Sequence, residues 1–262
     1  MTEGAVPWRV LTAVAVAAGV FLLLPGDLGH RAHAVLQGVC AQRPSHSFRF
    51  SGQPLPVDAR MTGMYLGAGM SLLWYLVALR ARYSGRFTRG VWLLLGLGIA
   101  AMALDGLNSL AADLKAPTPY NTTNLTRVAT GLLSGVAIGA LLSHLATISL
   151  THRPRGGWPA SPSYTLTPPL VSSIALCTLA GSGLPVLAGP LSCLIVASVL
   201  AALWAMASVV VALSLRRGWG FATARQRDET LAIAFGCACV LLAGLAAWRG
   251  LLEYLVGPMN LP

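Results

Sequence analysis

The apolar residues of this chain fall into seven long runs, at 8–24, 61–80, 91–114, 127–150, 170–187, 191–215 and 230–256. Each is about the 17–25 residues a helix needs to cross the hydrocarbon core of a bilayer. Charge is scarce in the chain as a whole: 10% of the 262 residues are Asp, Glu, Lys or Arg, and 55% are hydrophobic. Soluble domains average roughly 25% charged residues, so a soluble single-domain enzyme is excluded. The expected fold class is an all-α integral membrane protein of about seven transmembrane helices. With no long linker or composition break, residues 1–262 form a single transmembrane domain.

The fifth run is the weakest. Pro168 and Pro169 stand at its start, and Gly181, Gly183 and Pro185 interrupt its end, so it reads as broken or tilted. Six spans plus a re-entrant segment is the alternative. The first run has signal-peptide traits, a lone Arg9 and an Ala32-His33-Ala34 triplet resembling a cleavage site; it is read as a retained anchor.

A net charge of +10 would point to nucleic acid in a soluble protein. Here the arginines sit in short patches between apolar runs, without aromatic interleaving or a binding motif, so no nucleic-acid partner is expected. Anionic lipid headgroups suit them better. Arg9, Arg80, Arg82, Arg86, Arg89, Arg153, Arg155, Arg216, Arg217, Arg225 and Arg227 share one side of a seven-span topology. That is eleven of the 18 basic residues. The excess assigns that side to the cytoplasm of a bacterial inner membrane, with the N-terminus inside and the C-terminus outside. Trp8, Trp74, Trp92 and Trp248 near span ends read as interface anchors.

Residues 24–60 form the one long extramembrane stretch on the outer side. Leu28, Ala32, Val35, Leu36 and Val39 recur at helical spacing, which predicts an amphipathic helix lying in the interface. Phe48 and Phe50 alternate ahead of Ser51-Gly52, which predicts a strand and tight turn, a small hairpin-like cap.

The same stretch carries a resemblance. Cys40-Ala41-Gln42-Arg43-Pro44-Ser45-His46-Ser47-Phe48, then Gly52, then Leu55-Pro56-Val57-Asp58-Ala59-Arg60-Met61-Thr62-Gly63-Met64-Tyr65-Leu66-Gly67, resembles the signature of the prokaryotic domain-of-unknown-function 2085 membrane family. Asp105-Gly106 and Arg127 with Thr130-Gly131 resemble its later motifs, so about the first 140 residues are covered. The family pattern carries Cys-His at the first position and Cys-x-x-Cys in the later stretch. Here Ala41 follows Cys40, and Asp58 and Met61 occupy the two later positions. A metal or redox role for that set is therefore implied to be lost.

Asp105 is the sharpest single residue. A carboxylate inside a span costs roughly 2.5–3.5 kcal/mol at mid-bilayer. Asn108 and Ser109 share its helix face, and Arg60 and Arg127 open neighbouring spans at the same level. The expectation is a buried outer cluster of Asp105, Asn108, Arg60 and Arg127, joined by Asp58, with Arg43 and Arg49 near it. It is either an ion-pair network pinning the loop to the bundle, an anion or lipid-phosphate site, or an ion pathway. Gly63 and Gly67, and Gly131, Gly135 and Gly139, lie four apart on single helix faces, which predicts close helix packing or a subunit contact.

No metal site is expected: His30, His33, His46 and Cys40 match no ligand spacing. Cys177, Cys193, Cys237 and Cys239 read as small apolar residues. Asn121 and Asn124 open formal glycosylation sequons that read as caps of the fourth span. No catalytic motif is present, and no pattern specifies a pigment, haem or quinone. The expected role is a non-catalytic accessory or scaffold subunit of a larger membrane complex, with membrane lipids and other subunits as partners. The alternative is a transporter or enzyme handling a lipid-linked anionic phosphate substrate at the outer leaflet. Arg43, Arg49, Arg60 and Arg127 would then hold phosphate, and Asp105 would orient it or accept a proton.

Overall fold

A computed structural model describes residues 7–77, 87–150, 162–215 and 223–257. Among them eight α-helices run in the order α1 (Trp8–Leu23), α2 (Leu28–Leu36), α3 (Ala59–Val77), α4 (Arg89–Asp113), α5 (Asn124–Leu150), α6 (Pro162–Gly181), α7 (Ala188–Ser214) and α8 (Ala224–Val256). A hairpin of β1 (Arg49–Phe50) and β2 (Gln53–Pro54) lies between α2 and α3. Each of the seven apolar runs falls on a helix, the second as far as Val77. By length and composition, four helices can cross a membrane: α4, α5, α8, and α7 with the turn before it. The number becomes five if α1 and α2, bent by 113°, count as one broken span. The others fall short for physical reasons. Sixteen residues of α1 rise only about 24 Å, less than the ~30 Å hydrocarbon core. In α3, Arg60, Thr62 and Ser71 dilute the apolar content. Arg80, Arg82, Arg86, Arg153, Arg155, Arg216 and Arg217 lie outside the described residues.

The fifth run differs from expectation. Helix α6 begins earlier, at Pro162, takes Pro168 and Pro169 into its interior, and ends at Gly181. Each proline removes one backbone donor. The hydroxyls of Ser172 and Ser173 donate to the carbonyls of Pro168, at 2.9 Å, and Pro169. Gly183, at φ +68°, then turns the chain into a 3-10 turn, Pro185–Leu187, that feeds α7. Of the four expected tryptophan anchors, Trp8, Trp92 and Trp248 are exposed. Trp74 instead packs edge-on against Tyr164, with centroids 5.7 Å apart.

The centre of the bundle is the parallel pair α3 and α5. A Cβ on Gly63 would stand 2.2 Å from the Val128 carbonyl, on Gly131 2.1 Å from that of Arg60, and on Gly135 2.1 Å from that of Met64. A Cβ on Gly67 or Gly139 would also crowd the opposing backbone, at 2.8 Å from the Leu132 carbonyl and 2.6 Å from that of Ala68. The glycine faces of the two helices are therefore spent on each other, inside one chain. Around the seam, Leu66, Val128, Leu132 and Val136 join Ile195 and Val199 of α7 in the main core.

Residues 24–58 close one end of the bundle. Pro25 forces Leu24 into extended backbone and so stops α1. The Asp27 carboxylate caps α2 by accepting the His30 N–H at 2.8 Å. The inward face of α2 buries Ala32 and Leu36 completely. Beyond it, Ser51 (φ +49°) and Gly52 (φ +84°) make the two-residue turn of the hairpin, and Phe50 and Phe48 enter the core. Arg249 of α8 clamps this segment: its Nη1 donates to the carbonyls of Gln37 and Cys40 at 2.8 and 2.6 Å. At the opposite end Asp228 of α8 accepts the N–H groups of Arg9 and Val10, both at 3.3 Å. The start of α1, a helix with Val10 alone buried, is thus capped by a residue more than 200 positions away.

Candidate functional site

Asp105 lies 1% exposed on α4, facing α3 and α5. Arg60, in the first turn of α3, lays its guanidinium along the carboxylate: Nε donates to Oδ2 at 3.2 Å, and Nη2 reaches the same oxygen. That Nη2 also donates to Ser109 Oγ at 2.8 Å and to the Asp105 carbonyl at 3.1 Å. Tyr120 donates its hydroxyl to Oδ1 at 2.8 Å. Thr130 Oγ1 stands 3.3 Å from Oδ2. Both carboxylate oxygens are therefore occupied by donors from three different elements. Asn108, one turn on, ties the α4–α5 loop down through Nδ2, which donates to the Tyr120 carbonyl and Thr122 Oγ1, each at 2.9 Å.

The other expected members stand apart from this core. Arg127 makes no hydrogen bond to Asp105: Nη1 donates to Asn124 Oδ1 at 3.1 Å, and Nη2 lies 3.3 Å from His46 Nε2. Arg43 pairs with Asp113 at the end of α4. Asp58 caps α3, its Oδ1 accepting the Met61 N–H at 2.9 Å. Arg49 is exposed on the hairpin, its carbonyl against Gly183 in the α6–α7 turn, and does not join the cluster. The N-terminus of α5 is capped by Thr123, whose Oγ1 accepts the Thr126 N–H at 3.2 Å, rather than by Asn121 or Asn124.

Cys40 is buried beside Asp58. Its thiol lies 3.5 Å from Asp58 Oδ2 and accepts the N–H groups of Gln42 and Asp58, each at 3.4 Å. Burial first, and then the Asp58 charge, push the thiol up to about 11. A cysteine reacts as its thiolate, so at pH 8 maleimide labelling of Cys40 in the folded protein is expected to run roughly 100-fold slower than that of a free cysteine. Peptide mapping of timed adducts measures it, and labelling at the free-thiol rate would contradict the burial argument. Among the described residues no three His, Cys, Asp or Glu side chains converge as a metal site. His33 turns to the Gly29 carbonyl and His46 to Arg127.

Chemically the arrangement is a lock. The Asp105 carboxylate accepts from Arg60 on Oδ2 and from Tyr120 on Oδ1, and the Arg60 guanidinium is shared among three acceptors, Asp105 Oδ2, the Asp105 carbonyl and Ser109 Oγ. Tyr120 was invisible to sequence reasoning, because a residue in an aperiodic loop has no face to assign. The clamp by Arg249 was equally hidden; a charge beside Glu253 reads as an ordinary i,i+4 helix pair, which it also is, at 2.9 Å.

Compared with known proteins, residues 40–141 match a family described as predicted membrane protein (DUF2085). That segment holds the hairpin, α3, α4, most of α5 and the Arg60–Asp105 cluster. An uncharacterized protein of Methanothermobacter thermautotrophicus is 30% identical over 111 residues, covering 41% of this chain and 89% of that protein. No solved structure gives a significant match.

Proposed function

Since the chain belongs to the DUF2085 family of predicted membrane proteins, we propose that it serves as a non-catalytic scaffold subunit of a larger membrane assembly. In this reading it crosses a bacterial inner membrane seven times, N-terminus inside, with α1, α3 and α6 spanning as packed members of the bundle although too short or too polar to do so alone, and with the 24–60 segment as a cap on the outer side. One observation carries the proposal: the only carboxylate buried deep in the bundle among the described residues, Asp105, has both oxygens engaged by the chain itself, Oδ2 by Arg60 and Oδ1 by Tyr120. What remains for function is surface. The flanks at α1, α4 and α8 present Val16, Leu23, Leu93, Leu97, Leu104 and Val240 outward, apolar in the manner of a helix facing lipid or another subunit.

A second reading, binding of an anionic lipid at the outer leaflet, draws on the Nε–H groups of Arg31 and Arg127. Both are buried without an acceptor. Native mass spectrometry of protein extracted gently from its own membrane separates the two. Stoichiometric additional polypeptides are the result expected for a scaffold subunit. A lone chain carrying a phosphate-bearing lipid would overturn that and favour the second reading.

A further inference from the structure

The contact between Arg127 and His46 fixes a protonation state by geometry. A guanidinium has only donors, so at 3.3 Å from Arg127 Nη2 the His46 Nε2 must accept, and the ring's single proton sits on Nδ1. His46 ends the 3-10 turn Pro44–His46. That turn is tied to the bundle by two side chains, Arg43 to Asp113 of α4 and His46 to Arg127 of α5. Its remaining bonds are internal: the His46 N–H and the Ser47 hydroxyl both donate to the Arg43 carbonyl, at 3.0 and 2.9 Å.

We propose that the Arg127–His46 contact is an acid-released latch: protonation of His46 turns an acceptor into a donor opposite a cation and frees the 43–47 turn from α5. The charged groups around the ring come from every element packed against it: Arg127 of α5, Asp113 of α4, Arg43 of its own turn and Asp58 ahead of α3. The two carboxylates favour the protonated ring, but both are engaged. Asp113 holds Arg43, and Asp58 holds the Met61 N–H and the Cys40 thiol. Burial first and Arg127 next lower the His46 pKa below the ordinary 6.5. The positive charges facing the neutral ring, Arg43 and Arg127, are balanced by Asp58 and Asp113. One added proton tips that balance to positive and pushes away Arg127, whose Nε–H already lacks an acceptor.

The sign follows from linkage. A folded-state pKa below the unfolded one stabilises the latched state above pH 6.5, and that contribution is lost as pH falls through the lowered value. The test is hydrogen exchange of the 43–48 amides in lipid nanodiscs between pH 7 and pH 4.5, corrected for intrinsic exchange, with the His46 ring followed by NMR. In the wild type, exchange is expected to rise about tenfold with the ring's titration. His46→Gln keeps an acceptor for Arg127 and is expected to stay flat. Arg127→Gln is expected to move the His46 midpoint upward. A flat wild-type profile, an acid step surviving in His46→Gln, or a midpoint unmoved in Arg127→Gln would each overturn the latch.

Discussion

Asp105→Ala is expected to destabilise the bundle by about 3 kcal/mol, because it leaves Arg60 without its counter-charge at a site largely closed to water. Breaking a buried pair by removing one partner costs roughly 3–5 kcal/mol. The lower end applies because the Arg60 side chain keeps 18% exposure and retains its bonds to Ser109 and the Asp105 carbonyl. Asp105→Asn keeps one acceptor oxygen for Arg60 and turns its NH2 to the Tyr120 hydroxyl, which can rotate to accept, while the charge is removed, so its effect is smaller, about 1–2 kcal/mol. Arg60→Met strands a carboxylate that is 1% exposed and should cost at least as much as Asp105→Ala. The double variant Arg60→Met/Asp105→Leu removes both charges and should recover most of the loss. Reversible unfolding in mild detergent, with Asp105→Leu alone closing the double-mutant cycle, reads the coupling directly. Unchanged stability in both Asp105→Asn and Asp105→Ala would mean that the pair pins nothing, and the scaffold reading would lose its support.

The parts of this cluster that a sequence exposes are those with a helical address. Asp105, Asn108 and Ser109 follow from i, i+3, i+4 spacing and from the cost of a carboxylate inside an apolar run. Arg60 follows from its position at the head of the neighbouring run. Arg127 has the same kind of address, yet the structure turns it to Asn124 and His46. A helix start fixes a level but not a side-chain direction, and the last bond of a long arginine is decided by which acceptor the loop supplies. Arg49 misses the cluster because the hairpin's tight turn carries it toward the α6–α7 connection. Tyr120, and the long-range clamps made by Arg249 and Asp228, join residues with no periodic relation, and they appear only once the chain is folded. Helix positions were legible for a simpler reason: apolar runs of this length have few other ways to satisfy their backbone. The early start of α6 was not, since proline inside a helix runs against its own local preference.

Gly135→Ala is expected to cost about 3 kcal/mol, at the top of the usual range for overpacking a close contact. One methyl group is enough because the added Cβ would stand 2.1 Å from the Met64 carbonyl oxygen, and backbone has no flexible end to swing away. Relief needs α3 and α5 to separate by more than an ångström, which loosens Gly63 on Val128, Gly139 on Ala68, and the 3.2 Å bond from Ser71 Oγ to the Val136 carbonyl. Gly96→Ala in α4 and Gly244→Ala in α8 are the controls, since a Cβ at either meets nothing within 4 Å. There the better helix propensity of alanine should leave stability unchanged or raise it by up to about 1 kcal/mol. Thermal unfolding of the three variants in one detergent separates these outcomes, and equal stability of Gly135→Ala and Gly96→Ala would show that the seam is not tight. Gly131→Ala adds a further expectation. Its Cβ would press on the Arg60 carbonyl at 2.1 Å, displacing the residue whose guanidinium holds Asp105. Combined with Asp105→Ala, its cost should be less than the sum of the two, because the seam and the ion pair share Arg60 and each change already spends part of what the other would lose.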